Sequence, residues 1–248
     1  MNQFDLTLAV VAHSETVVSG PSMKAAEAAI EKAKEAGYSV ERLVGFDSPT
    51  EGCRDYFGQP AYDSWSKQHF RFGHQGRVRN ALAEIAVGRW LIFSDAGDLF
   101  SENWLIEALN LLSAAEEAGE RVIVHPELNW QFDGARQVHT RIAQADLLFS
   151  PIELLIRNPY DAMCAAPRDA WLENPYPDRG AGDGCSFGGW EWSVQTMGNG
   201  WQHVVARDTI IFKRRHDLSP STRSACNSLP DALAIDRIAS IGGEKNSK

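Results

Sequence analysis

Leu6 to Ala12, LTLAVVA, is almost wholly apolar. A strand with one wet face alternates apolar and polar residues, so a run without alternation is a strand buried on both faces, as in a parallel sheet. Parallel neighbours need a crossover between them. Pro21 to Ala36 provides one: Ala, Glu and Lys recur at helical spacing, and Gly37 supplies a stop. Val40 to Phe46 reads as a second strand, closed by the turn residues Asp47-Ser48-Pro49. Strand, helix, strand predicts a right-handed β-α-β unit. The expected class is α/β, with a mostly parallel central sheet flanked by helices.

The same grammar continues to Val124. Glu51 to Arg71 is irregular and aromatic-rich, a loop with a short helix. Gly76 to Val87 reads as a helix ended by Gly88, and Trp90 to Ser94 (WLIFS) as a buried strand. Glu102 to Ala118 is a long amphipathic helix ended by Gly119, and Arg121 to Val124 is another strand. From Pro126 to Gly189 few periodic elements are visible, and Asn, Pro, Gly and Trp are common. Trp190 to Met197 reads as a helix and His203 to Phe212 as a strand. There is no internal repeat and no clear linker. A single domain over 1–241 is expected, regular over about 1–125 and irregular over 126–241, with 242–248 a polar, disordered tail.

With 248 residues, 44% of them hydrophobic, the chain can bury a sizeable core. Its formal charge of −9 and the lack of a long basic run argue against a nucleic-acid partner. The densest basic cluster, Lys213-Arg214-Arg215, is long enough only for something like a diphosphate. Cys53, Cys164, Cys185 and Cys226 form no C-x-x-C pair, which argues against a zinc knuckle and suits a reducing compartment. The N-terminus lacks a basic leader, and no stretch approaches the ~20 apolar residues that span a bilayer. The expected location is the cytoplasm, with peripheral docking at the inner membrane face left open.

Ligands of open α/β sheets bind beyond the carboxyl ends of the strands. Three predicted ends are polar: Ala12-His13-Ser14-Glu15, Asp47, and Asp95-Ala96-Gly97-Asp98. Two carboxylates as close as Asp95 and Asp98 repel unless a cation lies between them. Their hard oxygens suit Mg²⁺ or Mn²⁺, and Gly97 permits a tight turn. The other reading is that the turn merely caps the next helix, through Asp98 or Ser101. The seven histidines show no H-x-x-x-H or H-x-H pairing, which disfavours a metallohydrolase.

These motifs carry a resemblance. Gly76-Arg77-Val78-Arg79-Asn80-Ala81, then Phe93-Ser94-Asp95-Ala96-Gly97-Asp98, resembles family 2 glycosyltransferases of the GT-A fold, where a G-x-x-R-N helix, a strand and a D-x-D-type turn follow one another. The resemblance spans roughly Leu6 to Ser221. It implies a nucleoside-diphosphate sugar as donor, with UDP-sugars favoured, and a glycan, lipid-linked or other hydroxyl acceptor. Bacterial polysaccharide or glycoconjugate synthesis is the setting it suggests. Ala12, His13 and Glu15 would line the donor, Asp47 would meet the base, and Ala96 would lie against the donor. Asp95 and Asp98 would hold Mn²⁺ or Mg²⁺ on the diphosphate, a Lewis-acid role, with His216 as a further metal ligand. Arg79 would brace the acidic turn or touch the donor. Arg214 and Arg215 would stabilise the leaving group.

The chain departs from the family at two places. Gly97 stands where many members have a third acidic residue, which leaves more of the metal work to Asp98. Inverting members also carry a Glu-Asp pair before a Trp, its Asp being the general base. Aligned on Trp190, that pair falls on Gly188-Gly189. Glu191 and Asp183 are the nearest candidate bases, although a shift of two helical positions turns a side chain by about 200°. Trp130, Trp190 and Trp192 are candidates to stack on an acceptor sugar, core packing being their alternative. Two other readings remain: a catalytically impaired module that binds nucleotide sugar or glycan within a larger assembly, and a nucleotidyltransferase. The latter usually has a Gly-rich basic loop after the first strand, unlike Ala12-His13-Ser14-Glu15.

Overall fold

The computed structural model describes residues 4–155, 158–177 and 188–215. Strand β1 (Phe4–Ala12) is buried from Leu6 onward. Its two parallel neighbours are β2 (Val40–Asp47) and β4 (Gly88–Asp95). The lack of alternation read in Leu6 to Ala12 has this cause: Leu6, Leu8 and Val10 feed one core, and Ala9 and Val11 feed another on the opposite face. Helices α1 (Ser19–Glu35) and α4 (Trp104–Ala118) cover the first face with Met23, Ile30, Trp104 and Leu105. Helices α3 (Gln75–Ile85) and α5 (Arg168–Glu173) cover the second with Val78, Leu82 and Trp171. Gly119 ends α4 at φ 69°, a left-handed conformation that costs glycine little.

The remaining elements are α2 (Glu51–Phe57), β3 (Ser66–Phe70), β5 (Leu99–Phe100), β6 (Val122–Asp133), β7 (Gln137–Thr140), β8 (Ala165–Pro167), α6 (Gly188–Gly198) and β9 (Gln202–Arg215). Among the described residues one sheet runs β3-β2-β1-β4-β8-β6-β9-β5, with β7 paired to β6. The first four strands are mutually parallel, and β8 is antiparallel to both β4 and β6. The expected α/β class with a mostly parallel sheet is what forms.

The irregular half is more regular than its sequence reads. Strand β6 runs twelve residues, well past Val124. Pro126 hides this, since a proline donates nothing to a ladder and reads as a break. The structure absorbs it with a register shift against β9 between Pro126 and Leu128. The extra residues of β9 are held there: Glu127 N–H donates to Thr209 Oγ1 at 3.1 Å, and Asp208 N–H to Glu127 Oε2 at 2.8 Å.

At Gly88, β4 leaves no room beside β1 for a side chain. A Cβ there would lie 2.4 Å from Thr7 N and 2.6 Å from Leu6 C, both backbone atoms that cannot swing aside. Gly88→Ala is expected to destabilise the fold by at least about 1–3 kcal/mol, the usual cost of overpacking, read as a lower urea midpoint with an unchanged m-value.

Candidate functional site at the carboxyl end of the sheet

Parallel pairing sets the carboxyl ends of β1, β2 and β4 side by side. Val11 pairs with Asp95, and Ala12 with Phe46. Ala96 N–H donates to Val11 O at 2.9 Å, so the acidic turn starts as a continuation of the sheet. Ala12, His13, Asp47, Asp95 and Ala96 therefore share one edge.

At the first two ends the carboxylates bond back onto backbone N–H groups. The Asp47 carboxylate accepts from the backbone N–H groups of Phe72 at 2.8 Å, Gly73 at 3.1 Å and His74 at 3.0 Å. It is 8% exposed. The carboxylate expected to meet a nucleotide base thus also knots the loop that leads into α3. Glu15 folds back in the same manner, its Oε2 accepting from His13 N–H at 2.7 Å and Ser14 N–H at 3.0 Å. The His13 ring meets Asp47 O through Nδ1. Beside this edge, Ser48, Pro49, Arg54, His69, Phe70 and Arg71 line a cleft of about 400 Å³. A second cleft of about 350 Å³, between Arg89, Leu112, Arg121 and Trp201, lies at the opposite end of β4 from the acidic turn.

The acidic turn is not a helix cap. The N-cap of α4 is Asn103, which makes no side-chain capping bond, and Ser101 Oγ accepts instead from Ile210 N–H at 3.1 Å. After Asp98 the chain enters β5, which pairs antiparallel with β9 (Leu99 with Phe212, Phe100 with Ile211). That ladder delivers the basic end of β9 onto the turn. Arg214 N–H donates to Asp98 Oδ1 at 3.1 Å. Lys213 Nζ lies 3.2 Å from Asp95 Oδ2, pairs with Asp98 Oδ2, and lies 3.3 Å from Asp161 Oδ1. From α3, Arg79 Nη2 and Gln75 Nε2 both donate to Asp95 Oδ1 at 2.7 Å. Arg79 thus contacts the acidic turn directly, as its bracing role would require.

Asp161 is the residue that sequence reasoning missed. It lies in the aperiodic segment before β8, where spacing carries no signal. Its carboxylate also accepts from Met163 N–H at 3.0 Å and from Asn129 Nδ2 at 3.4 Å, and it faces Arg141 Nη2 at 3.9 Å. Burial works to raise the Asp161 carboxyl, but Lys213 and Arg141 outweigh it and hold it at about 2. Burial pushes the Asp98 carboxyl up to about 6, against the pull of Lys213. The cluster sets three acids (Asp95, Asp98, Asp161) against three bases (Arg79, Arg141, Lys213), so it is formally neutral. Among the described residues no group of three His, Cys, Asp or Glu side chains is arranged to hold a metal ion. The carboxylates converge on Lys213 rather than on one another.

The remaining candidates divide. Gly188 and Gly189 open α6, and their Cβ positions would meet Tyr176 at 3.2 Å and Ala162 at 3.7 Å. Tyr176 in turn lies under Arg79, 5.6 Å from guanidinium to ring. Glu191, in the first turn of α6, is thus on the element that abuts the cluster. The Arg214 side chain turns to Asp133, Nε to Oδ2 at 2.8 Å, and Arg215 ends β9 half-buried. Asp183 and His216 lie outside the described residues. Trp192 must be withdrawn as an acceptor contact: it is 1% exposed and stacks on Trp171 with centroids 4.0 Å apart, leaving no face for a sugar. Trp190 donates its indole N–H to Leu154 O at 2.8 Å, and Trp130 is 45% exposed beside Phe212.

Removing Arg79 leaves the half-buried Asp95 with only Gln75 and Lys213 as partners. Arg79→Met is expected to cost about 1–3 kcal/mol, the usual penalty for an unmade hydrogen bond. A double variant with Asp95→Asn should recover part of that loss in chemical denaturation, the non-additivity reporting the coupling.

No protein-family model matches the chain, and no curated protein matches it in sequence. Solved structures do match. S. aureus TarS 1-349 in complex with UDP-GlcNAc aligns at TM-score 0.66 and 13% identity, over 96% of this chain and 66% of that one. The mannosyltransferase PcManGT from Pyrobaculum calidifontis, in complex with GDP-Man and Mn²⁺, aligns at TM-score 0.55 and 12% identity, over 85% and 56%. GalNAc-T7 with UDP, GalNAc and Mn²⁺ aligns at TM-score 0.59 and 14% identity, over 89% and 47%. The chain thus spans less than two thirds of the length of each. Among the described residues no helix is long and apolar enough to cross a membrane. The sheet order, the acidic turn at its carboxyl edge and these alignments together give the chain a GT-A-like glycosyltransferase fold.

Proposed function

We propose that this chain is a nucleotide-sugar-dependent glycosyltransferase. It seats the donor diphosphate at the acidic turn and passes the sugar to a hydroxyl acceptor held by the irregular half. The observation that carries the reading is the junction of Asp95-Ala96-Gly97-Asp98 with the basic end of β9, at the edge where α/β sheets bind ligands. The neighbours solved with UDP-GlcNAc, GDP-Man and UDP support the donor class, and a UDP-sugar is the favoured donor. Arg214 and Arg215 would face the charge that builds on the leaving diphosphate. Trp130 is exposed enough to stack on an acceptor sugar. The setting proposed is the cytoplasm or the inner membrane face, in bacterial polysaccharide or glycoconjugate synthesis.

The divalent ion that the resemblance implies has suitable donor chemistry in Asp95 and Asp98, both oxygen ligands. Their oxygens are nevertheless engaged: Asp95 Oδ1 by Arg79 and Gln75, Asp98 Oδ1 by Arg214 N–H, and both Oδ2 atoms by Lys213. As arranged, the described residues do not fit a metal ion.

The proton of the acceptor hydroxyl needs a base. Glu191 is the described candidate, because its helix packs against Ala162 and Tyr176 at the edge of the cluster. Asp183 remains a candidate from sequence. One observation favours the second reading, a module that binds without transfer: Gly188 and Gly189 bring no carboxylate to the start of α6.

The test is release of nucleoside diphosphate from a panel of UDP- and GDP-sugars, with and without acceptor glycans. Turnover is expected, with Glu191→Gln lowering kcat by about 10²–10⁴-fold, the usual share of a general base, while UDP affinity stays unchanged. Binding of UDP with every donor left intact would favour the module.

A further inference from the structure

We propose that Lys213 takes the place of a divalent cation at the acidic turn, so that this chain binds a nucleoside diphosphate without metal. The inference rests on the donor-site reading above and concerns what supplies the positive charge there.

Position is the first ground. The ammonium sits between the outer oxygens of Asp95 and Asp98, where a bridging cation would have to lie. Its carrier is fixed. Lys213 follows directly on the β5–β9 ladder, and the residue is only 8% exposed, so it is not a surface lysine that swings in and out of solvent.

Charge is the second ground. Three carboxylates face three basic side chains, which leaves no net negative charge to draw a divalent ion out of water. An incoming ion would have to displace the ammonium and leave it buried without partners, and a buried unpaired charge is strongly destabilising. The number of partners is the third ground. The ammonium is ion-paired with Asp95, Asp98 and Asp161 at once, and donates a hydrogen bond to Asp95 Oδ2 at 3.2 Å. Asp161 matters most here. It adds a third carboxylate away from the turn, and so fixes the charge at a point that Asp95 and Asp98 alone would not define.

Exposure gives the direction of approach. The Asp95 side chain is 29% exposed and that of Asp98 only 6%. A phosphate oxygen can reach the ammonium from the Asp95 side and share the proton now directed at Asp95 Oδ2. The lysine keeps its three protons throughout and forms no covalent bond. As the bond from the anomeric carbon to the diphosphate oxygen breaks, its electron pair stays on that oxygen, and Lys213 meets the charge. A single positive charge does less than a divalent ion, and Arg215, whose charge also acts on Asp161, extends it.

The experiment uses the purified full chain, MnCl₂ and UDP. Free Mn²⁺ is followed by electron paramagnetic resonance without nucleotide, and UDP affinity is measured by calorimetry in EDTA and in Mn²⁺. The wild type is expected to leave Mn²⁺ free and to bind UDP equally in both buffers. Lys213→Met should acquire a Mn²⁺ site, and its UDP affinity should rise about tenfold or more on adding Mn²⁺, a change of about 1.4 kcal/mol or more. Stoichiometric Mn²⁺ binding by the wild type, or UDP binding lost in EDTA, overturns the proposal. If Lys213→Met does not fold, the two wild-type measurements decide alone. Absence of UDP and GDP binding in every buffer overturns the donor-site reading instead, and the nucleotide-free Mn²⁺ titration still judges Lys213.

Discussion

A lysine ammonium buried among three carboxylates is the constraint on which the functional edge depends. Each of those charges would be costly to bury alone, and the group is tolerable only when all its members are present. The members come from four places: α3 supplies Arg79, the turn after β4 supplies Asp95 and Asp98, the stretch between β7 and β8 supplies Arg141 and Asp161, and β9 supplies Lys213. No two of these segments are adjacent in sequence except α3 and β4. The edge therefore forms only when the regular first half and the irregular second half have both docked. Even the two-residue β5 has a clear purpose, as the splice that ties the turn to β9.

The sequence was most readable where burial is two-sided. Leu6 to Ala12, Val40 to Phe46 and Trp90 to Ser94 announce themselves because most of their apolar positions, odd and even, enter one of two cores. Strand β3, Ser66–Phe70, was missed because it is a polar edge strand whose residues are exposed or half-buried. Strand β8, Ala165–Pro167, is too short to show a period. The acidic turn was legible as chemistry, since paired carboxylates after a buried strand demand a partner. The identity of that partner was not legible. Lys213 and Asp161 are far from the turn in sequence, and only the β5–β9 ladder and the fold of the segment before β8 bring them to it.

Aromatic residues show the same limit. Trp130, Trp190 and Trp192 look alike in sequence, yet one is exposed, one is tied by its indole to Leu154, and one is sealed against Trp171. Burial at that scale is a property of the packed whole. The resemblance to known structures behaves likewise. The fold persists while sequence likeness has faded, as expected when a core needs volume and pattern more than particular residues.

Asp47 has a consequence of a different sort. By accepting from three consecutive backbone N–H groups, its carboxylate fixes Phe72, Gly73 and His74 before any ligand arrives. Ordering a residue's backbone costs roughly 1–2 kcal/mol in entropy. Here that loss is taken during folding and does not recur when something settles against the lip. A rigid rim gains affinity for the one shape it matches and forfeits accommodation of others. Ligand selectivity at this end of the sheet would then come from a preset contour, with the buried carboxylate as the keystone of that contour rather than a hand extended to the guest.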